Sequence, residues 1–279
     1  MFYILRKRGL GNTTCREVQK HYPNDIKIIK SINEITHHDH EKDIVLRWGT
    51  TQSFPYQGKI LNKTINISLV GNKKQFRKIC VDNIPEITPK TWFDYNDPII
   101  EYPVILREQH HAQGKHLYFC KNKEDLELNS HSLTNPFNYY ISKYIPKQKE
   151  YRVFFVQGRV VWIAEKIPKN EQAIAWNVAQ GGKFINVPWK QWDISIIEDA
   201  YKAYKLSGLW LGGVDIMKDG HNNYIIEINS APSQTSPYRQ SCFAKTIKWS
   251  INNGYDFLEP NENYKKYSKW IHPGVKNNE

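Results

Sequence analysis

The stretch from Gly212 to Pro232, GGVDIMKDGHNNYIIEINSAP, constrains this chain more than any other. Its two runs, GGVDIM and YIIEIN, are rich in β-branched residues and flank the turn-forming KDGHNN, so the sequence predicts a hairpin. Residues two apart in a strand share a face, so Glu227 and Asn229 point the same way. A turn near His221 sets Asp215 opposite Glu227, and cross-strand partners have Cβ atoms about 5 Å apart. Three oxygen-bearing side chains therefore converge amid Ile and Val, an arrangement that is costly unless a cation or a basic partner neutralises it. Hard oxygen ligands favour Mg²⁺, completed by water and phosphate oxygens. An ordinary exposed hairpin face would carry the same triplet, and the triplet alone does not separate the two.

The rest of the chain narrows the choice. With 279 residues, 40% hydrophobic and 13% aromatic, it can bury a substantial core, as one large domain or as two or three compact lobes. Lys and Arg number 39 against 28 Asp and Glu, for a formal charge of +11. That excess favours an acidic partner: nucleotide phosphates, nucleic acid or an acidic peptide. Cys15, Cys80, Cys120 and Cys242 lie far apart with no CxxC pair, which argues against a zinc ribbon or a thioredoxin-type site and for free thiols. The amino terminus, MFYILRKRGLG, has its apolar run before the charge, and no apolar stretch approaches the roughly 18 residues that span a bilayer. The expectation is a cytoplasmic protein with no membrane partner.

Met1 to Leu5, Ile26 to Ile29 and Ile44 to Trp48 read as strands, with Gly9 and Gly11 in a turn and Thr13 or Thr14 capping a helix, a rhythm that suits a small open α/β lobe. From Gly71, NKKQFRKIC sets Phe76, Ile79 and Cys80 at helical spacing with basic residues on the other face, and Pro85 and Pro89 end the helix. A second hairpin joins Pro103 to Arg107 and His116 to Cys120 through the polar EQHHAQGK; Lys121 to Pro136 reads as a polar connection to Tyr139 to Ile145. Tyr151 to Gln157, Arg159 to Glu165 and Lys183 to Val187 carry further strand signals. Asp193 to Ser207 reads as an amphipathic helix stopped by Gly208, and Arg239 to Ile251 as a closing helix. The tail from Pro260 is polar and reads as loosely ordered.

Taken in order, these features resemble the ATP-grasp ligases, the group that includes glutathione synthetases, D-alanine ligases and the enzymes that add glutamate to ribosomal protein tails. The resemblance runs from Asn72 to Gln240 and is strongest where GVDIM precedes EINSAP. It implies an α/β fold of α+β lobes: a small amino-terminal α/β lobe over 1–71, then two lobes that clasp ATP, a lid lobe over 72–145 and a metal-binding lobe over 146–260, with a polar tail over 261–279. Asp215, Glu227 and Asn229 become ligands of Mg²⁺, two ions in the family, against the ATP phosphates. Lys73 takes the place of a lysine that reaches ATP, with Asn72 where the family has Asp. Arg107 stands where a strand lysine meets the phosphates, and its planar fork differs from a point charge. Gln113, Gly114 and Lys115 fall in the lid loop. Lys143, Tyr144 and Ile145 fall in the linker that reads adenine, and Glu150 opens the next lobe. Catalytic roles fall to Arg152, facing the acyl phosphate or the acceptor, to Lys166 as a phosphate cation, and to Asn177, which follows Trp176 and precedes Gln180, Gly181 and Gly182.

The resemblance implies that a carboxylate attacks the γ-phosphate of ATP, giving an acyl phosphate and ADP, and that an amine or similar nucleophile then displaces phosphate. The protein supplies positioning and charge neutralisation. The carboxylate and the amine acceptor stay unidentified, and a peptide or protein acceptor fits as well as a small one. A nucleic-acid-binding module draws on Arg6-Lys7-Arg8, on the basic run from Lys143 to Arg152 and on abundant Trp and Tyr, and is compatible with a nucleic-acid acceptor. Two further readings are a metal site at His37, His38, Asp39 and His40, extended by His110 and His111, and an ATP-grasp protein that transfers phosphate without ligation. Arg47, at a strand end, either meets an acidic substrate or stacks on Trp48.

Overall fold

The computed structural model describes residues 1–6, 12–35, 39, 41–110, 116–170, 173–176 and 181–276. The amino-terminal sheet is parallel, in the order β2-β1-β3-β4, from β1 (Phe2–Arg6), β2 (Ile26–Ile29), β3 (Ile44–Trp48) and β4 (Lys59–Leu61). Every residue of β1 is buried, as expected of a parallel strand covered on both faces. Phe2 and Ile4 enter the main core, while Tyr3 and Leu5 enter a smaller cluster behind the sheet. Helix α1 (Asn12–His21) contains Thr13 and Thr14 in its first turn, so neither threonine caps it. The buried Thr14 hydroxyl instead accepts from the Gln234 amide at 2.9 Å and donates to its carbonyl at 3.2 Å.

Helix α2 (Thr64–Gly71) leads into α3 (Lys73–Asn83), whose N-cap is Asn72, accepting from the Gln75 amide at 3.0 Å. The β-branched make-up of α2 suits a strand, and burial of Ile67 and Val70 carries it into a helix. Phe76 and Cys80 bury as the periodicity of α3 predicts, and they join the main core rather than the lid. The basic residues of α3 do not all face outward: Arg77 is buried and donates to the carbonyls of Ile225 and Ile226 at 3.0 and 2.8 Å.

The lid sheet runs β5-β8-β6-β7, from β5 (Thr91–Trp92), β6 (Val104–Glu108), β7 (Leu117–Cys120) and β8 (Tyr139–Lys143). The expected hairpin pairs Val104 with Cys120 and Arg107 with Leu117. The polar connection holds helix α4 (Lys123–Ser130), capped by Asn122 and pinned by the buried Leu126.

The largest sheet is antiparallel, β11-β10-β9-β12-β13, from β9 (Lys149–Val156), β10 (Arg159–Ile167), β11 (Lys183–Val187), β12 (Leu211–Asp219) and β13 (Asn222–Asn229). Phe155 stacks on Tyr204 of α5 (Ile194–Ser207), and Phe154 meets Phe243 of α6 (Pro237–Asn253) edge-on. Phe243 also stacks on Trp48, so α6 ties the amino-terminal sheet to the large one. Gly208 ends α5 at φ +62°, in the left-handed region that glycine enters without penalty. The carboxy-terminal segment is docked rather than loose: Trp270, Ile271 and Val275 join the main core, Ile271 bridges Val160, and His272 is fully buried. Among the described residues no helix is long and apolar enough to cross a membrane.

Candidate active site

Asp215 pairs with Glu227, although the turn is not centred on His221. Asp219 pairs with Asn222 across a two-residue turn that has Gly220 at φ +57°. Continued unbroken, that register would set Asp215 against Ile226. A bulge between Asp215 and Ile216 inserts one residue and restores Asp215 opposite Glu227. The displaced Ile226 offers its carbonyl to Arg77 and lines the cleft.

On β9, Arg152 pairs with Asp215, and on β10, Lys166 pairs with Glu150, so these groups share the face of the sheet that turns to the lid. Arg152 holds Asp215 at both ends, Nε to Oδ1 at 2.6 Å and Nη2 to Oδ2 at 2.8 Å. Lys166 Nζ donates to Asp215 Oδ2 at 2.8 Å and to Glu150 Oε1 at 2.5 Å, and Lys147 pairs with the other oxygen of Glu150. Burial opposes the charged form of Asp215, but Arg152 and then Lys166 outweigh it and hold the carboxyl below its usual range. Burial likewise opposes the charge on Lys166, and Asp215 with Glu150 raises it above the usual lysine value. For Lys147 burial prevails over Glu150 and lowers the pKa. The neutralising partner that the acidic patch demands is thus built into the protein.

Between the large sheet and the lid lies a cleft of about 530 Å³. Lys73, Arg107, Lys143, Tyr144, Ile145 and Glu150 all line it, as do Arg152, Lys166, Asp215, Glu227 and Asn229. Gln113, Gly114, Lys115 and Asn177 lie outside the described residues, as do His37, His38, His40 and His111. Lys166 is not a free phosphate cation, because it is buried and shared between two carboxylates. The Lys143 ammonium donates to the carbonyls of Tyr102 and Glu101, at 2.9 and 3.2 Å. Lys73 lies 3.6 Å from Glu227 and donates to the Ile228 carbonyl at 3.1 Å. Arg107 is half-buried in the cleft, and among the described residues its buried Nε has no hydrogen-bond partner.

Arg77, Lys147 and Phe184 also line the cleft and were not singled out in the sequence. Arg77 follows Lys73 by one helical turn, and that spacing is the signal that would have found it. The run from Lys143 to Arg152 is not a solvated basic face: Lys147 and Arg152 point into the cleft and pair with Glu150 and Asp215, while Lys149 pairs with Glu165. The cleft lining holds seven cationic side chains against three carboxylates, which suits a polyanion. Arg47 stacks on Phe54 at 4.3 Å and not on Trp48. Among the described residues no cluster of three or more His, Cys, Asp or Glu is set to hold a metal, and Asp39 pairs with Lys42.

Comparisons with known proteins agree with this arrangement. A family model described as a RimK-like ATP-grasp domain matches residues 72–249, more than half of the chain. A probable alpha-L-glutamate ligase of Legionella pneumophila (strain Paris) is 28% identical over 137 residues, 47% of this chain and 43% of the relative. The chain therefore matches less than half the length of that curated relative. Among solved structures, a RiPP-associated ATP-grasp ligase from Chryseobacterium gregarium, in complex with ADP and a leader and core peptide, superposes with a TM-score of 0.62 at 14% identity, covering 89% of this chain and 97% of the other. The ATP-grasp ligase PsnB, complexed with minimal precursor, Mg and ADP, gives 0.63 at 9% identity, covering 90% and 97%. At such identities the likeness speaks for the fold. By its fold and by the match over residues 72–249, the chain belongs to the RimK-like ATP-grasp domain family.

Proposed function

We propose that this protein is an ATP- and Mg²⁺-dependent ligase that joins a carboxylate to an amine through an acyl phosphate, releasing ADP and phosphate. The observation that carries the reading is the cation-lined cleft with Glu227 and Asn229 at its floor. Ile105, Leu117, Met217 and Ile226 give it an apolar wall that suits a planar base, and Arg107 is a cation with donor capacity to spare for the phosphates.

The donor set fits Mg²⁺, with a restriction. Glu227 and Asn229 offer hard oxygens, and the Asn229 amide nitrogen donates to Glu227 Oε1 at 3.1 Å, which leaves its oxygen for a ligand. Asp215 carries three N–H bonds on its two oxygens, out of about four acceptor sites on a carboxylate. It therefore has room for one bond to a metal, at Oδ1. Bound Mg²⁺ would neutralise phosphate charge. The protein's own residues bind and orient: Arg107 and Lys73 meet the phosphates, and Arg152, fixed by Asp215, presents its remaining donors to the reacting carboxylate. The name of the Legionella relative makes glutamate the first substrate to try, and the peptide in the Chryseobacterium complex makes a peptide acceptor the second.

The test is to incubate the protein with ATP, Mg²⁺ and pools of carboxylates and amines, following nucleotide products and product masses. ADP, phosphate and a condensed product are expected, with turnover lost in Glu227→Gln. Release of AMP, full turnover by Glu227→Gln, or ADP formation with a phosphorylated product and no condensation would overturn the reading.

A further inference from the structure

One cation beside the cleft has no place in the chemistry above. Arg239, in the first turn of α6, is only 3% exposed. Its guanidinium carbon lies 5.3 Å from the ring centroid of Trp162 and 5.4 Å from that of Phe184, whose ring lines the cleft. Arg152 lies 5.0 Å from the same Phe184 centroid. Arg152 is neutralised by Asp215; Arg239 is not. Among the described residues no carboxylate lies within ion-pair distance of Arg239, and its buried Nε has no hydrogen-bond partner. Burial, and after it the like charge of Arg152, lowers the Arg239 pKa to about 10.

The surroundings suit an anion. Helix α6 runs for 17 residues from Pro237, and its N-cap, Ser236, makes no side-chain capping bond. The amides of Tyr238 and Arg239 fall in the first turn, where no intrahelical acceptor exists, at the end of the helix that attracts negative charge. Asn186 of β11 approaches Ser236 Oγ at 3.5 Å and closes one side, while Ser233 and Thr235 open onto the cleft. Two aromatic faces offset part of the cost of burying the guanidinium, but a buried unpaired charge stays expensive until a counter-ion arrives.

We propose that Arg239 and the first turn of α6 form a carboxylate subsite that anchors an acidic substrate beside the reacting groups. This inference rests on the ligase reading. A guanidinium accepts carboxylate and phosphate alike. The one unneutralised charge at this site matches the single charge of a carboxylate better than that of a phosphate dianion.

The test uses the full chain as wild type, Arg239→Met and Arg239→Lys. Thermal unfolding and calorimetry are run with glutarate, L-glutamate, inorganic phosphate and the uncharged glutaramide, and Mg·ATP affinity is measured on the same samples. Without ligand, Arg239→Met should melt at the wild-type temperature or above it, because it removes an uncompensated buried cation and keeps an apolar stem. Glutarate or glutamate should raise the melting temperature of the wild type while glutaramide does not. Carboxylate affinity should fall about ten-fold or more in Arg239→Met, the loss expected for a charged hydrogen-bond donor, and be partly restored in Arg239→Lys. Mg·ATP affinity should stay within about two-fold in all three, a factor that amounts to well under 1 kcal/mol. A destabilised Arg239→Met would mark a structural stack and overturn the proposal. So would carboxylates that bind wild type and variant alike or neither, or a site that prefers phosphate. Wild type that fails to bind Mg·ATP refutes the ligase reading itself, whereas Mg·ATP binding without any carboxylate effect sinks the subsite alone.

Discussion

At the scale of single residues, Asp215 and Glu227 face each other but do different work. Asp215 is buried and carries three N–H bonds from Arg152 and Lys166, whereas Glu227 is partly open to the cleft beside Lys73. Replacing Asp215 with Asn leaves two buried cations without their shared counter-charge, a loss of about 3–5 kcal/mol in unfolding free energy. The same substitution at the solvent-accessible Glu227 should change stability by less than about 1 kcal/mol. Urea unfolding of the two variants checks this, and equal losses would mean that the Asp215 network carries no special weight. The shared face of Glu227 and Asn229 was legible in the sequence because β-strands have period two. The neutralisation of Asp215 was not, since Arg152 lies 63 residues away and meets it only through the β9–β12 register.

Among the elements, the hairpin of β12 and β13 was read correctly for a reason the sequence does not display. The two-residue turn alone would set Asp215 against Ile226, and the bulge adds the one residue that aligns Asp215 with Glu227. Helix α4 stayed hidden in a polar segment because a single buried leucine, Leu126, anchors it. The carboxy-terminal segment stayed hidden because Trp270, Ile271 and Val275 follow no helical or strand period, so their common burial is a tertiary fact. His272 in that segment gives a pH signature. Burial first, and the charge of Arg159 second, pulls its pKa from 6.5 to about 3. Below pH 6.5 the unfolded chain takes up a proton that the folded one refuses, so this contribution to stability is complete above that pH and is lost as the pH falls toward 3. At about 1.4 kcal/mol per pH unit, lowering the pH from 7 to 5 should cost wild type about 2 kcal/mol more than His272→Gln. Urea midpoints at the two pH values measure the difference; a variant that loses as much as wild type would show that His272 titrates freely in the folded protein.

For the whole molecule, the lid sheet and the large sheet enclose one cleft, and α6 couples the amino-terminal sheet to the large one through Trp48, Phe243 and Phe154. The lobed α/β architecture was legible, because strand and helix signals alternate along the chain and the ATP-grasp features occur in order. The destination of the positive charge was not: the run from Lys143 to Arg152 reads as a surface patch until the fold turns Lys147 and Arg152 inward. A cleft so charged is suited to activating a carboxylate with ATP, and isotope transfer tests that directly. A carboxylate substrate labelled with ¹⁸O in both oxygens is converted with ATP, Mg²⁺ and its amine, and the released phosphate is analysed by mass. Passage through an acyl phosphate carries one labelled oxygen from the carboxylate into each phosphate, which is the expected result. Phosphate that emerges unlabelled while the condensed product forms, with the expelled labelled oxygen found in AMP or in water instead, would contradict it.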